Sequence, residues 1–295
     1  MIAPTFSPIQ VRTSDPQVTI VGQRAGEGPP LLLLHGNPLT HLSWQRIAPR
    51  LARDFTVVAT DLRGYGDSSK PRGDPDHSNY SFRRMAQDQV EVMRELGFAK
   101  FFVAGHDRGA RTAFRMALDH ADKVLKFASF DILPTHHMLT NATYQWALNS
   151  SHWFFMAQKY PIPETLIAGK EDFYILKKLT DLGIGKGGFT DATLKEYARV
   201  CTPENIHAVC EDYRAAVTVD MDMDTADFKA GRKIGCPAAI YWGELSHTEK
   251  YYDPRKAWPQ YCSNIVRIRP LPCGHYPAEQ VPDLVYDELS AFFKG

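Results

Sequence analysis

The chain has 295 residues, of which 44% are hydrophobic, and its 34 lysines and arginines balance its 34 aspartates and glutamates. This length suits one α/β unit that carries an insertion, and the apolar fraction is sufficient for a sizeable core. The balanced charge, without a basic stretch interleaved with aromatic residues, excludes nucleic acid and an anionic membrane surface as expected partners.

Targeting, membrane and redox signals are weak. The first twelve residues contain prolines and polar residues without the apolar centre of a signal peptide, and no apolar run is long enough to span a bilayer. The cysteines are odd in number, widely spaced and without a CxxC pair, which argues against disulfides and a zinc site. We therefore expect a soluble cytoplasmic protein with buried free thiols at Cys201, Cys210, Cys236, Cys262 and Cys273.

Strand and helix patterns alternate along the chain. Short apolar runs predict strands at residues 18–23, 30–34, 55–60, 100–104, 126–130, 238–242 and 265–268. Amphipathic periodicity predicts helices at residues 80–96, 110–118 and 282–293. From residue 135 to 230 the strand signal gives way to aromatic and helical patterns. We predict a doubly wound, mostly parallel sheet built from residues 1–134 and 231–295, with a helical cap at 135–230 inserted after the strand 126–130, taken as the sixth strand of the fold.

The most informative motif joins the predicted strand 100–104 to the predicted helix 110–118. It reads Gly105-His106-Asp107-Arg108-Gly109, the spacing of the nucleophile elbow of α/β hydrolases, with aspartate where serine usually stands. A carboxylate can displace a leaving group from saturated carbon and form an ester, whose carbonyl carbon water then attacks. The motif therefore predicts an α/β-hydrolase fold and a substrate that carries a halide or an epoxide oxygen on sp3 carbon.

Two partners of the nucleophile follow from chain order. In this fold the order is nucleophile, acid, histidine, and His275 lies between the last predicted strand and the last predicted helix. Asp131 directly follows the strand 126–130, whereas Glu244, after the strand 238–242, is the second choice. We predict that Asp107 is the nucleophile, that His275 activates water and that Asp131 orients His275.

Backbone and cationic groups beside the elbow suit an anionic intermediate and an anionic substrate. The turn that ends the strand 30–34 can aim the backbone N–H of Asn37 at the nucleophile, and with the N–H of Arg108 it would form an oxyanion hole. Arg108 and Arg111 open the next helix, where positive charge is unfavourable unless an anion is present. Such a pair suits a substrate carboxylate.

The predicted cap offers donors for a leaving halide. His152, Trp153 and Tyr213 carry imidazole, indole and phenol groups that can donate hydrogen bonds. From the sequence alone, core packing is the more ordinary role for such aromatic stretches.

Several motifs together resemble the fluoroacetate dehalogenases, also called haloacetate dehalogenases. They are His106-Asp-Arg-Gly-Ala-Arg-Thr112, Asp61-Leu-Arg-Gly-Tyr-Gly-Asp-Ser-Ser69, Met116-Ala-Leu-Asp-His120, His152-Trp153 and Asp212-Tyr-Arg-Ala-Ala216. The resemblance implies an aspartate nucleophile at Asp107, carboxylate binding by Arg108 and Arg111, and a homodimer. It also implies the acid and histidine roles of Asp131 and His275, and halide binding by His152, Trp153 and Tyr213.

Our prediction is hydrolysis of a 2-haloacetate to glycolate and halide through an aspartyl ester, without a metal or an organic cofactor. Two alternatives stay open. One is an epoxide hydrolase with the same ester chemistry, in which Tyr213 and a second cap tyrosine, Tyr144 or Tyr160, protonate the ring oxygen. The other is a receptor that binds a small carboxylate without turning it over. The sequence leaves the preferred halogen open.

Overall fold

One eight-stranded sheet lies at the centre of the computed structural model, which describes residues 5–182 and 188–295. Its strands are β1 (Ser7–Arg12), β2 (Thr19–Ala25), β3 (Pro30–Leu34), β4 (Thr56–Thr60), β5 (Phe101–His106), β6 (Val124–Phe130), β7 (Ala238–Gly243) and β8 (Ile265–Leu271). Their order is β1-β2-β4-β3-β5-β6-β7-β8. Strand β2 is antiparallel to both of its neighbours, and all other pairs are parallel.

The central strands are apolar because helices cover both faces of the sheet. Strands β4 and β7 are buried at every position, and β3 at all but its first. Parallel neighbours require crossover connections, which the helices between the strands provide. The doubly wound, mostly parallel sheet is therefore confirmed.

Helices fill the connections among the described residues. The first three are α1 (Ala48–Leu51), α2 (Phe82–Glu95) and α3 (Arg108–Asp119). Between β6 and β7 lie α4 (Thr135–Thr140), α5 (Tyr144–Asn149), α6 (His152–Met156), α7 (Ile162–Ile167), α8 (Glu171–Leu182), α9 (Asp191–Val200), α10 (Pro203–Val217) and α11 (Val219–Lys229). After β7 follow α12 (His247–Tyr251), α13 (Pro254–Ala257), α14 (Pro277–Gln280) and α15 (Pro282–Lys294). Three 3-10 turns complete the set, at His41–Trp44, Ser78–Tyr80 and Trp258–Gln260.

The helices between β6 and β7 occupy the stretch for which the sequence predicts a cap. Their helical periodicity, without strand alternation, explains why the strand signal disappears there. Because β6 and β7 are adjacent and parallel, the insertion leaves the sheet at the carboxyl end of β6 and returns to it at the amino end of β7. The elbow follows the carboxyl end of β5, which pairs with β6, so the insertion starts at the edge of the sheet where the elbow is found.

The structure differs from the sequence-based expectations in one strand, one helix boundary and the burial of one cysteine. Strand β1 was missed, because its proline and polar residues hide a two-residue alternation in which only Ile9 and Val11 are buried. The predicted helix at residues 80–96 begins two residues later, where the hydroxyl of Ser81 accepts a hydrogen bond from Arg84 N. All five cysteines are free, and Cys236 is half-buried rather than buried. No helix in the described part of the chain is long and apolar enough to cross a membrane.

Candidate active site

The elbow is a strained turn between β5 and α3. Asp107 has φ 47° and ψ −117°, a conformation that a non-glycine residue adopts only where its surroundings enforce it. A Cβ on Gly105 would lie 2.3 Å from Gly109 O, and a Cβ on Gly109 would lie 2.4 Å from Leu34 O. The two glycines of the motif are thus required by the backbone contacts around them, and the turn presents the Asp107 carboxylate at the end of β5.

Sheet register brings the predicted acid beside the predicted nucleophile. His106 pairs with Phe130 in the parallel β5–β6 ladder, so the next residues, Asp107 and Asp131, follow neighbouring strand ends. The Nδ1 atom of His275, in the loop after β8, donates to Asp131 Oδ2 over 2.5 Å. Glu244, the second choice for the acid, is exposed.

Asp131 is held by further donors. Its Oδ1 atom accepts hydrogen bonds from Gly243 N at 3.0 Å and from the hydroxyl of Ser246 at 2.6 Å. With Oδ2 on His275, both carboxylate oxygens are satisfied and the side chain is fixed. This arrangement orients the imidazole and leaves its Nε2 atom for other partners.

Charge at the site keeps Asp107, the predicted nucleophile, ionised. Burial acts to raise the pKa of Asp107, but the surrounding positive charge, first that of His275, outweighs it and holds the pKa well below its usual range. Burial acts in the opposite direction on His275, yet the hydrogen bond and charge of Asp131 and the charge of Asp107 raise the pKa of the imidazole. The two groups therefore stabilise each other's charged forms.

The predicted oxyanion turn contacts the nucleophile. Leu34 pairs with Gly105 in the sheet, which places the turn after β3 next to the elbow. The backbone N–H of Asn37 donates to Asp107 Oδ2 at 2.9 Å. Arg108 is the first residue of α3, so its N–H belongs to the first helical turn, whose donors have no acceptor within the helix.

Arg111 contributes its guanidinium to the wall of the cavity beside Asp107. Its Nη1 donates to Leu133 O and to the hydroxyl of Thr135, both at 2.9 Å, and Nη2 lies 3.3 Å from the sulfur of Met138. These acceptors are all neutral. Burial, and after it the charge of Arg108, lowers the pKa of Arg111 to about 10, so the side chain stays charged at neutral pH. Within the described residues Arg111 has no carboxylate in ion-pair contact, and a buried cation of this kind favours an anionic ligand.

Arg108 has different surroundings. Its guanidinium stacks on the ring of Tyr213 at 3.6 Å and lies 4.7 Å from that of Trp153. Its Nε atom lies 3.2 Å from a carboxylate oxygen of Asp212, but none of its three nitrogens makes a well-aligned hydrogen bond within the described ranges. Arg108 is not among the residues that line the cavity. The two arginines that the sequence treats as a pair therefore occupy different environments.

The aromatic donors of the cap meet above the elbow. His152 and Trp153 begin α6, and their rings lie 5.8 Å and 5.1 Å from that of Tyr213 in α10. Burial, and then the charge of Lys178, lowers the pKa of His152 well below its usual value, so the imidazole is neutral. Burial raises the pKa of Tyr213, which keeps its hydroxyl proton.

These groups enclose a cavity of about 120 Å³, a size that suits a substrate of few atoms. Its predicted site residues are Asn37, Asp107, Arg111, Asp131, His152, Trp153, Tyr213 and His275. Sequence reasoning missed other lining residues, which are Ile132, Leu133, Met138, Trp146, Ser150, Lys178, Leu245, Ser246, His247, Thr248 and Tyr252. Ser246 had a usable signal, because it follows a parallel strand end. Lys178 had none, since a lysine pair in an amphipathic helix ordinarily faces water.

The second tyrosine of the epoxide hydrolase alternative is not found at the cavity. Tyr144 is 71% exposed and Tyr160 is 57% exposed, and neither lines the cavity. Tyr252 does line it, but its hydroxyl donates to Met138 O at 3.0 Å. Within the residues that the structure describes, no cluster of three histidine, cysteine or acidic side chains is arranged to hold a metal.

The strand order, the elbow and the acid–histidine pair define an α/β hydrolase, and sequence comparison agrees. Residues 29–168 match the family model for the alpha/beta hydrolase fold. A protein from Nostoc sp. PCC 7120 described as an alpha/beta hydrolase superposes with a TM-score of 0.94 at 46% identity, with 98% of each chain covered.

Two curated relatives are more specific. Fluoroacetate dehalogenase from Burkholderia sp. is 44% identical over 90% of this chain and 87% of its own length. Soluble epoxide hydrolase from Corynebacterium sp. (strain C12) is 34% identical, with 91% of each chain covered. The chain belongs to the haloacetate dehalogenase family of α/β hydrolases. The resemblance stated from the motifs is thereby confirmed, as is the enzyme class, a hydrolase acting on carbon–halide bonds.

Proposed function

We propose that this enzyme hydrolyses 2-haloacetates to glycolate and halide through an ester on Asp107. The observation that carries the proposal is the pairing, in one cavity of about 120 Å³, of an ionised carboxylate nucleophile with Arg111, a buried cation whose hydrogen bonds go to neutral acceptors. A carboxylate nucleophile requires a leaving group on saturated carbon, and the buried cation favours an anionic group on the same small molecule. A 2-haloacetate meets both demands.

In the first step the Asp107 carboxylate attacks the α-carbon. Oδ2 is held by the N–H of Asn37, so we assign the attack to Oδ1. Arg111 binds the substrate carboxylate, with Arg108 as a second cation whose guanidinium donors lack aligned partners in the described chain. The new bond joins Asp107 oxygen to carbon, and the halide leaves with the electron pair toward the N–H and O–H donors of the cap, His152, Trp153 and Tyr213.

In the second step His275 takes a proton from water, which attacks the carbonyl carbon of the Asp107 ester. The N–H groups of Asn37 and Arg108 receive the developing oxyanion. Esterification removes the negative charge of Asp107, which had helped to raise the pKa of His275. The imidazole therefore loses its proton more easily once the ester has formed, when a base is required. Asp131 stabilises the imidazolium that results. When the tetrahedral intermediate collapses, the bond between the Asp107 carbonyl carbon and the glycolate oxygen breaks, and the imidazolium returns its proton to that oxygen.

Halide release from fluoro-, chloro- and bromoacetate tests the proposal. We expect glycolate and halide in equal amounts from at least one of the three. The matched comparison is a simple terminal epoxide under the same conditions, because one curated relative is a soluble epoxide hydrolase. Diol formation from the epoxide without halide release from any haloacetate would overturn the proposal in favour of the epoxide reaction.

A further inference from the structure

Lys178 is a cavity residue that neither the sequence motifs nor the proposed mechanism uses. It belongs to α8, and its side chain lines the cavity beside Asp107. Its ammonium donates one hydrogen bond to Asn37 Oδ1 and another to the hydroxyl of Tyr213 at 3.3 Å. It also lies 5.4 Å from the centre of the Tyr213 ring. The lysine thus bridges the oxyanion turn of the sheet and the aromatic donors of the cap.

The charges around the cavity do not balance without ligands. Asp131 is paired with His275, and Asp212 is the acidic neighbour of Arg108. Arg111 and Lys178 have hydrogen bonds only to neutral acceptors, and within the described chain neither has a carboxylate in ion-pair contact. Asp107 is the cavity carboxylate that faces both cations without pairing with either.

Esterification of Asp107 removes the negative charge of this carboxylate. Arg111 and Lys178 then face two anions. One anion is the carboxylate of the substrate, and the other is the halide that has just left. Arg111 is anchored to the loop after β6 through Leu133 and Thr135, whereas Lys178 contacts the phenol of Tyr213. The carboxylate and the halide would therefore separate onto these two positions.

We propose that Lys178 binds the departing halide together with Tyr213 and is the cation of the leaving-group site. This inference rests on the proposed haloacetate reaction. The carbon–halogen bond breaks as the Asp107 oxygen–carbon bond forms, and the halide keeps the electron pair. No proton moves from Lys178, because the ammonium and the halide remain an ion pair until the halide diffuses away.

The hydrogen bond from Lys178 also orients the phenol. An ammonium can only donate, so the oxygen of Tyr213 must accept in this contact. The hydroxyl proton of Tyr213 is consequently free to point at another acceptor, and burial keeps that proton in place by raising the pKa of the phenol. Lys178 thus supplies charge and also sets the direction of a second donor.

A compact ammonium suits a small, hard anion. Lysine concentrates its charge on one nitrogen, whereas arginine spreads it over a planar fork that matches a carboxylate. Arg111 and Lys178 are therefore each suited to one of the two anions. Fluoride, the poorest leaving group of the halides and the one with the most localised charge, should depend on Lys178 the most.

The first experiment measures bromide binding to the resting enzyme by tryptophan fluorescence, with acetate inhibition measured beside it. We expect Lys178→Met to weaken bromide binding by about 10- to 100-fold, the range for losing a charge-assisted hydrogen bond. Lys178→Arg should stay within a few-fold of the unmodified enzyme. Lys177→Met, in the exposed neighbouring residue, is the matched control and should change nothing. Acetate binding should remain within a few-fold in all three variants.

The pH dependence of bromide binding tests the charge of Lys178 a second time. Burial lowers the pKa of Lys178 to about 8, so its charge and the bromide affinity should fall as the pH rises above that value. Lys178→Arg should abolish this fall, because arginine stays charged. The charged or titratable groups that face Lys178 are Asp107, Arg108, His152, Cys201, Asp212, Tyr213 and His275, and the arginine variant leaves all of them in place.

The outcomes separate the two proposals. Bromide binding in Lys178→Met equal to that of the unmodified protein, with an unchanged melting temperature, would overturn the role of Lys178 and leave the haloacetate reaction intact. If Lys178→Met loses bromide binding but the unmodified enzyme releases no halide from any haloacetate, the proposed reaction is overturned. The role of Lys178 in anion binding then stands without it. If both stand, Lys178→Met should lower kcat for fluoroacetate at least about tenfold more than for bromoacetate.

Discussion

The carboxyl edge of the sheet and the helical cap contribute to the cavity by different physical means. On the sheet, Asp107 and Asp131 follow neighbouring parallel strands, and two glycines without room for a Cβ force the elbow. In the cap, Tyr213 and Lys178 come from separate helices and meet only through tertiary packing. Under the proposed mechanism, strand register therefore positions the groups of the covalent chemistry, whereas the proposed leaving-group site depends on how helices pack. Loss of Asp107 or His275 should therefore lower kcat far more than loss of a cap residue.

The largest expected loss comes from the nucleophile. Asp107→Asn keeps the shape of the side chain but replaces the attacking oxygen anion with an amide, so kcat should fall by about 10⁴-fold or more. Acetate should bind at least as tightly as before, because the variant removes a negative charge that repels it. Steady-state halide release and acetate inhibition measure the two effects. Residual turnover within tenfold of that of the unmodified enzyme would show that Asp107 is not the nucleophile.

His275→Gln tests the second step separately. Without a base the ester cannot be hydrolysed, so turnover should fall by about 10²–10⁴-fold. The first step should survive, giving a burst of one halide per active site and a protein mass increased by the carboxymethyl group. Rapid quench and intact mass spectrometry detect both. Slow halide release without any burst would show that His275 also serves the first step.

Arg111→Met tests whether the Arg111 guanidinium binds the substrate carboxylate. We expect KM for chloroacetate to rise by about 10- to 100-fold, because a buried charge-assisted contact is lost. Arg111→Lys should recover only part of this loss, since an ammonium cannot form the planar fork. If neither variant changed KM or acetate inhibition, the carboxylate would have to bind elsewhere, and Arg108 would be the next candidate.

The smallest effect is expected in the cap. Tyr213→Phe removes one of the proposed halide donors and the phenol oxygen that accepts from Lys178, while the other proposed cap donors stay in place. The kcat for fluoroacetate should fall by about 10- to 100-fold, less than in Asp107→Asn or His275→Gln, and the kcat for bromoacetate should fall less still. Measuring kcat for both substrates sharpens the comparison. A loss as large as that of Asp107→Asn would contradict the division between sheet and cap.

Prediction from the sequence succeeded where short-range rules determine structure. The elbow spacing, the strand that ends before Asp131 and the loop position of His275 all follow from chain order in a parallel sheet. Strand β1 was missed because its burial alternates at only two positions, Ile9 and Val11. An edge strand of this kind has little apolar signal.

The cavity was harder to anticipate than the fold. Two arginines three residues apart look equivalent in sequence, yet Arg111 lines the cavity while Arg108 packs between aromatic rings and Asp212. Lys178 could not be found, because its contacts with Asn37 and Tyr213 join residues that are 141 and 35 positions away. Nothing in local periodicity distinguishes a lysine that turns inward from one that faces water.

The most direct test of the central claim is a single turnover in ¹⁸O-water with enzyme in excess over chloroacetate. We predict that the label enters the carboxylate of Asp107, because water attacks the ester carbonyl. The first glycolate should carry an unlabelled oxygen from the enzyme. Peptide mass spectrometry of the segment containing Asp107 detects it. Label in the first glycolate, with none in Asp107, would contradict the ester route and indicate direct attack of water on the substrate.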